Sequence, residues 1–143
     1  CTVGLGGHAV ALLEAGASRL VGFDRDPQAL RLAAERLAPF GDRVELVHAD
    51  YRTLGAVLDA RQAPAPHGIL ADLGISSLQL DEPGRGFSFR RDEPLDMRMD
   101  QSGPSAADLV NRLPEAELAD ILWQLGEERH SRRIARAIVA ARA

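Results

Sequence analysis

Apolar runs suited to strands alternate with helical periodicities through the first half of this chain, and few folds accommodate that rhythm. Arg19 to Asp24 predicts a strand, Val44 to His48 a second that leads to Asp50, and Gly68-Ile69-Leu70-Ala71 a further one ending at Asp72. Between them, His8 to Ala17 predicts a helix carrying Val10, Leu12 and Leu13. Asp26 predicts the cap of another helix, with Pro27 at its first position, where a missing N–H costs nothing. Leu30, Ala33, Ala34 and Leu37 then supply a buried face at helical spacing. Thr53 predicts the cap of a third helix through Leu58. Strands and helices in alternation over short loops imply an α/β fold built on a parallel sheet covered on both faces.

In such a sheet, ligands bind at the carboxyl ends of the strands. Those ends carry the glycine-rich turn Gly4-Leu5-Gly6-Gly7-His8, then Asp24, Asp50-Tyr51 and Asp72. Glycines let a backbone approach a ligand closely, and the spacing Gly4-x-Gly6-x-x-Ala9 satisfies a dinucleotide fingerprint. Asp24 lies twenty residues after Gly4, where a carboxylate accepts hydrogen bonds from ribose hydroxyls. The turn thus points to a nucleoside cofactor without saying which. From the residues alone, Asp24 reads as a ribose ligand or a loop-capping carboxylate. Tyr51 reads equally as an adenine neighbour or a cover on the sheet edge. Asp72, with Ser76, Ser77 and Gln79 close behind, is the candidate reacting carboxylate; ordinary turn chemistry is the bland alternative.

The rhythm stops at Asp72. Residues 73–104 form a long loop rich in glycine and proline, and loops of that length are often functional. Phe87 and Phe89 stand there among Arg85, Arg90, Arg91 and Arg98, a mixture suited to a flexible strand of nucleic acid: bases stack and phosphates are neutralised. The alternative is a loop pinned to a core by its phenylalanines. From Ser105 the pattern is purely helical: Ser105 with Asp108 resembles a capping box. Pro114 opens a helix with Leu118, Ile121, Leu122 and Leu125, and a last helix carries Ile134, Ala135, Ile138 and Val139. The expected domains are 1–104, with the active-site loop 73–104, and 105–143.

Composition narrows the partners. The 143 residues are 45% apolar and 27% charged with a net charge of −4, which argues against wholesale electrostatic binding of nucleic acid. A local basic surface remains, because the last seventeen residues carry a net +3. No apolar stretch approaches the roughly 18 residues of a membrane span, and no signal-peptide pattern is present. With a single cysteine, Cys1, the expectation is a cytoplasmic protein with no membrane partner. No cysteine–histidine cluster argues for a metal. The glycine turn opens without a preceding strand or an initiator methionine, so the chain reads as a fragment. Two other functions share some of these features: an NAD-dependent oxidoreductase, through the glycine turn and Asp24, and a helical nucleic-acid-binding module over Ala116 to Ala143.

Taken together, TVGLGGH, GFDRDPQAL, GILADLGISSLQLD, RGFSF, PLDMRMD and GEERHSRRIARAIVAAR resemble the MraW (RsmH) family of ribosomal RNA methyltransferases. The resemblance covers essentially the whole chain. It implies a Rossmann-like class I methyltransferase sheet, incomplete here, followed by the start of an inserted helical subdomain. It implies S-adenosylmethionine as cofactor and methyl transfer to the exocyclic N4 of a cytidine in small-subunit ribosomal RNA. By position it implies Gly6, Gly7 and His8 at the methionine side of the cofactor, Asp24 at the ribose and Tyr51 beside the adenine. Asp72 and Gln79 match the remaining cofactor positions. On this basis Asp72 is the catalytic candidate, and Phe87, Phe89, Arg85 and Arg98 are the RNA candidates.

Overall fold

A computed structural model describes residues 1–142. The chain divides into two compact units, one comprising Cys1–Asp81 with Met99–Gln101, the other Glu82–Arg98 with the stretch from Ser102 onward.

The first unit holds a small parallel sheet. Strand β1 (Leu20–Asp24) pairs with β2 (Val44–His48), with Leu20 opposite Val44 and Asp24 opposite His48. Helix α1 (Gly7–Glu14) precedes β1 and α2 (Pro27–Leu37) follows it. Ala9, Leu13, Ala33 and Leu37 from the two helices form the core, with Val3, Leu20, Val44 and Leu46 packed against them. Gly22 makes that closure possible: a Cβ there would sit 2.9 Å from a Leu46 methyl and 3.0 Å from Val3. Helix α3 (Leu54–Ala60) follows β2, and the short α4 (Ser77–Asp81) lies within the segment expected to be loop.

Several local expectations hold. Asp26 caps α2 by accepting from the Gln28 N–H at 3.0 Å, with Pro27 at the first position. The buried stripe of α2 is Ala29, Ala33 and Leu37, while Ala34 is exposed and Leu30 half-buried. The helix is therefore rotated from the predicted face, because its small residues allow close approach to the sheet. Thr53 does not cap α3 with its side chain; a 3-10 turn, Tyr51–Thr53, intervenes, and Asp50 caps that turn from the Arg52 N–H.

One expectation fails. The run Gly68–Ala71 is not a strand: Ile69 and Leu70 are 64% and 46% exposed. It runs beside the first residues of the chain, with the Cys1 nitrogen donating to the Leu70 carbonyl and the Asp72 N–H to the Thr2 hydroxyl. The second of these bonds ends on a side chain rather than a carbonyl, so no regular ladder forms. On its other side this opening stretch joins the sheet, since the Val3 N–H donates to the Phe23 carbonyl at 2.8 Å.

The second unit packs α5 (Ala106–Arg112), α6 (Glu115–Gln124) and α7 (Ser131–Ala140) around Leu118, Ala119 and Ala135. The Ser105–Asp108 capping box is formed in both directions, at 3.0 and 3.1 Å. Leu125, expected on the apolar face of α6, is 81% exposed beyond its end.

Asp26 is fully buried, and its second oxygen accepts from the Gln79 amide at 3.1 Å, tying α4 to the start of α2. Asp26→Ala removes a cap and strands a buried amide, for an expected loss of about 2–4 kcal/mol. Denaturant unfolding of the intact protein should show a lower midpoint at an unchanged slope.

Candidate functional site

A cleft of about 630 Å³ opens on the first unit, within the range of small-molecule sites. Its floor is the glycine turn. Gly4 has φ +51° and Gly6 φ +80°, left-handed conformations that favour glycine. A Cβ on Gly4 would meet nothing within 4 Å, so its backbone faces open space. Gly4, Gly7 and His8 line the cleft. Gly6 does not: it is buried, and its Cα faces Leu37 and Ala33 of α2. That contact lets α1 start close against α2.

Asp24, at the end of β1, lines the cleft and also holds the turn. One of its oxygens accepts from the Gly4 N–H at 2.8 Å and the other from the Asp26 N–H at 3.0 Å. The two readings left open by the sequence are therefore compatible. A carboxylate offers about four acceptor positions, so these two bonds leave capacity for hydroxyl donors.

Tyr51 also lines the cleft, 43% exposed. Asp50 beside it grips Arg52 with both oxygens, at 3.0 and 2.7 Å, and also faces Arg25 at 3.8 Å. Gln79 is 6% exposed; its side-chain oxygen accepts from the Ser76 N–H, and its N–H donates to the Ser76 hydroxyl. With its amide on Asp26, Gln79 shapes the wall more than it offers free donors. Asp72 lines the cleft with its side chain 71% exposed, 4.0 Å from the His8 ring. It arrives there on irregular backbone rather than at a strand end.

Comparison with known proteins decides the family. Residues 1–143 match the MraW methylase family over their whole length. The chain belongs to the MraW methylase family. Relatives named ribosomal RNA small subunit methyltransferase H include those of Streptomyces avermitilis, 56% identical over 99% of this chain and 45% of the relative, and Cereibacter sphaeroides, 56% identical over 99% and 42%. That of Sorangium cellulosum is 51% identical over 98% and 45%. The chain thus spans less than half the length of these relatives. Neither the oxidoreductase nor the free-standing helical module is favoured by membership of the MraW family.

The RNA candidates of this MraW-family chain lie in its second unit, and they are not equivalent. Phe89 is fully exposed and Phe87 half-buried. Arg85 is 6% exposed, bonded to Glu82 at 3.4 Å and to the Arg98 carbonyl at 3.2 Å. Arg98 holds Asp96 through both oxygens, the closest at 2.6 Å, and the Gly103 carbonyl. Both arginines hold the loop through these bonds; Arg85 is buried, while the Arg98 side chain stays 31% exposed. Arg90 and Arg91, flanking Phe89, are exposed.

Sequence reasoning missed two charged cleft residues, Arg25 and Arg36. Arg25 lines the cleft and anchors Asp100 at 2.7 Å. Arg36 projects from α2 to line the wall near Gly7. Its position on an exposed helix face gave no signal in the sequence. Asp50 was noted only as a strand end. Among the described residues no His, Cys, Asp or Glu cluster could hold a metal, and no helix is long and apolar enough to cross a membrane.

The Arg52 hydrogen bonds hold the Asp50 carboxyl down from its usual 3.8 to about 2. A depressed carboxyl contributes stability above its unfolded value and loses it as pH falls through the folded one. The Asp50–Arg52 hook should therefore persist through mild acid and release between pH 3.8 and about 2. NMR titration of the Asp50 carboxyl carbon should show that midpoint, and Arg52→Ala should return it towards the ordinary range.

Proposed function

We propose that this chain is the cofactor-binding part of an S-adenosylmethionine-dependent methyltransferase acting on small-subunit ribosomal RNA, at the exocyclic N4 of a cytidine. The observation that carries the reading is the gathering of Gly4, Gly7, His8, Asp24, Tyr51, Asp72 and Gln79 around one cleft. The relatives' names supply the ribosomal RNA, and the small parallel sheet with its flanking helices agrees with an incomplete Rossmann-like class I methyltransferase fold. In this reading residues 1–104 are the cofactor domain with its active-site loop, residues 105–143 begin an inserted helical subdomain, and the protein is cytoplasmic.

The residues fit the cofactor's parts. Helix α1 begins without a side-chain cap and without an acid in its first turn. Its positive end thus stays open to the carboxylate of the methionine portion, and Arg36 adds a cation on the same wall. The Asp24 carboxylate receives the ribose hydroxyls, and the exposed Tyr51 ring covers the adenine. Bound there, S-adenosylmethionine supplies an electrophilic methyl group on its sulfonium.

The protein's own contribution is then positioning. A cytosine amine is a weak nucleophile, because its lone pair is delocalised into the ring. Asp72, solvent-facing and unhindered, accepts from the amine protons and stabilises the positive charge that develops on nitrogen. The base must leave its stack to arrive; by residue type Phe87 and Phe89 are the stacking candidates, with Arg85 and Arg98 beside them in the loop.

Titration calorimetry of the intact protein should show saturable binding of S-adenosylmethionine and none of NADH; the reverse would overturn the reading. Asp24→Ala should weaken cofactor binding at least about tenfold, in line with one charge-assisted hydrogen bond. Asp72→Asn should leave cofactor affinity within a few-fold but reduce methyl transfer by about 100-fold or more. Equal losses in both would make Asp72 a cofactor ligand only.

A further inference from the structure

The positive side chains of this chain are all arginine, seventeen of them, apart from four histidines. Most are tied down: Arg52 to Asp50, Arg98 to Asp96, Arg136 to Glu115, and Arg142 to the carbonyls of Val110 and Leu113. Arg129, Arg132 and Arg133 are different. All three are exposed, none has a side-chain hydrogen bond or ion pair among the described residues, and all line one groove of about 450 Å³ on the second unit. Trp123, 57% exposed, lines the same groove, with Asp120 as its sole carboxylate.

Packing does not account for this arrangement. Ala119 is buried in the α6–α7 core, whereas Trp123, one turn further along α6, leaves it. Arg132 and Arg133 sit in the first turn of α7, which carries no acid, at the end where a helix dipole disfavours cations. A large aromatic surface and three unneutralised guanidiniums together match a specific chemistry. Aromatic faces stack on unpaired bases regardless of sequence, and guanidinium forks bind phosphates two bonds at a time.

We propose that this groove docks a single-stranded segment of the RNA substrate, with Trp123 stacking on one base and Arg129, Arg132 and Arg133 holding the adjacent phosphates. An acidic protein segment would match the charge as well; the combination of a flat indole face with three guanidiniums around a single carboxylate is the one that alternating bases and phosphates satisfy together, which favours RNA as the occupant. The inference rests on the reading of ribosomal RNA as substrate, and extends it to a surface outside the cofactor cleft.

The test uses the intact protein, without cofactor, and a short fluorescein-labelled single-stranded RNA carrying the sequence around a target cytidine. Trp123→Ala should weaken binding about tenfold or more, and Trp123→Phe should restore most of it, as loss and rescue of stacking require. Arg132→Ala with Arg133→Ala should flatten the dependence of log K on log salt by about 1.4, at roughly 0.7 per phosphate contact on a single strand. Calorimetry with S-adenosylmethionine on the same variants should match the unsubstituted protein, showing that they are folded. RNA affinity indifferent to all three changes would overturn the groove while leaving the methyltransferase reading intact. So would variants that alter only the oligomeric state, which would make the groove a protein interface. If the unsubstituted protein itself binds RNA but no S-adenosylmethionine, the methyltransferase reading is overturned, and loss of RNA affinity in variants whose circular dichroism and unfolding midpoint match the unsubstituted protein would still uphold the groove.

Discussion

The first unit depends on two carboxylates placed two residues apart after β1. Asp24 accepts from the Gly4 and Asp26 amides, so the left-handed glycine turn is clamped to the end of the strand beside it. Asp26, fully buried, caps α2 and accepts the Gln79 amide. Between them they join the opening turn, α2 and α4, segments that lie far apart in sequence. A buried carboxylate is tolerated only when its oxygens are satisfied, and here the Gln28 backbone N–H and the buried Gln79 amide donate to them. The cleft has a defined wall because these bonds leave its backbone little freedom.

What could be read from the sequence was local and short-ranged. The Asp26-Pro27 start of α2 and the Ser105–Asp108 box are interactions between neighbours, and both are formed as the residue types require. The pairing of β1 with β2 follows from two apolar runs joined by a helix. The failures share a different cause. Gly68–Ala71 has strand composition, yet a strand exists only through its partner, and this run meets one side-chain hydroxyl where a ladder needs a carbonyl. Ala29 rather than Ala34 faces the core because close packing against the sheet selects the rotation of α2, which spacing alone leaves free. Arg85 reads as a phosphate ligand by type, and the fold adds what the sequence could not show: its burial and its bonds to Glu82 and the Arg98 carbonyl. Within the candidate site, sequence found the residues carrying obvious chemistry and missed Arg36, a cation brought to the cleft only by the fold.

The second unit separates its arginines by what faces them. Those that meet a carboxylate or carbonyl build structure: Arg98 and Arg85 shape the loop, and Arg142 closes the end of α7 onto α5. Those left without a partner stand next to an exposed aromatic, as Arg90 and Arg91 do around Phe89 and as the groove arginines do around Trp123. A guanidinium stays charged throughout the accessible pH range, so this division is fixed by geometry and not by protonation. It explains how an overall acidic chain keeps surfaces suited to a polyanion.

Asp24 carries a kinetic consequence as well. Its bonds to the Gly4 and Asp26 amides fix the turn from within the protein itself. On the proposed reading, a nucleoside meeting the remaining lone pairs would break no internal bond. Association at this wall would then be a matter of encounter and desolvation, and the lifetime of the complex is where differences between related ligands would be expressed.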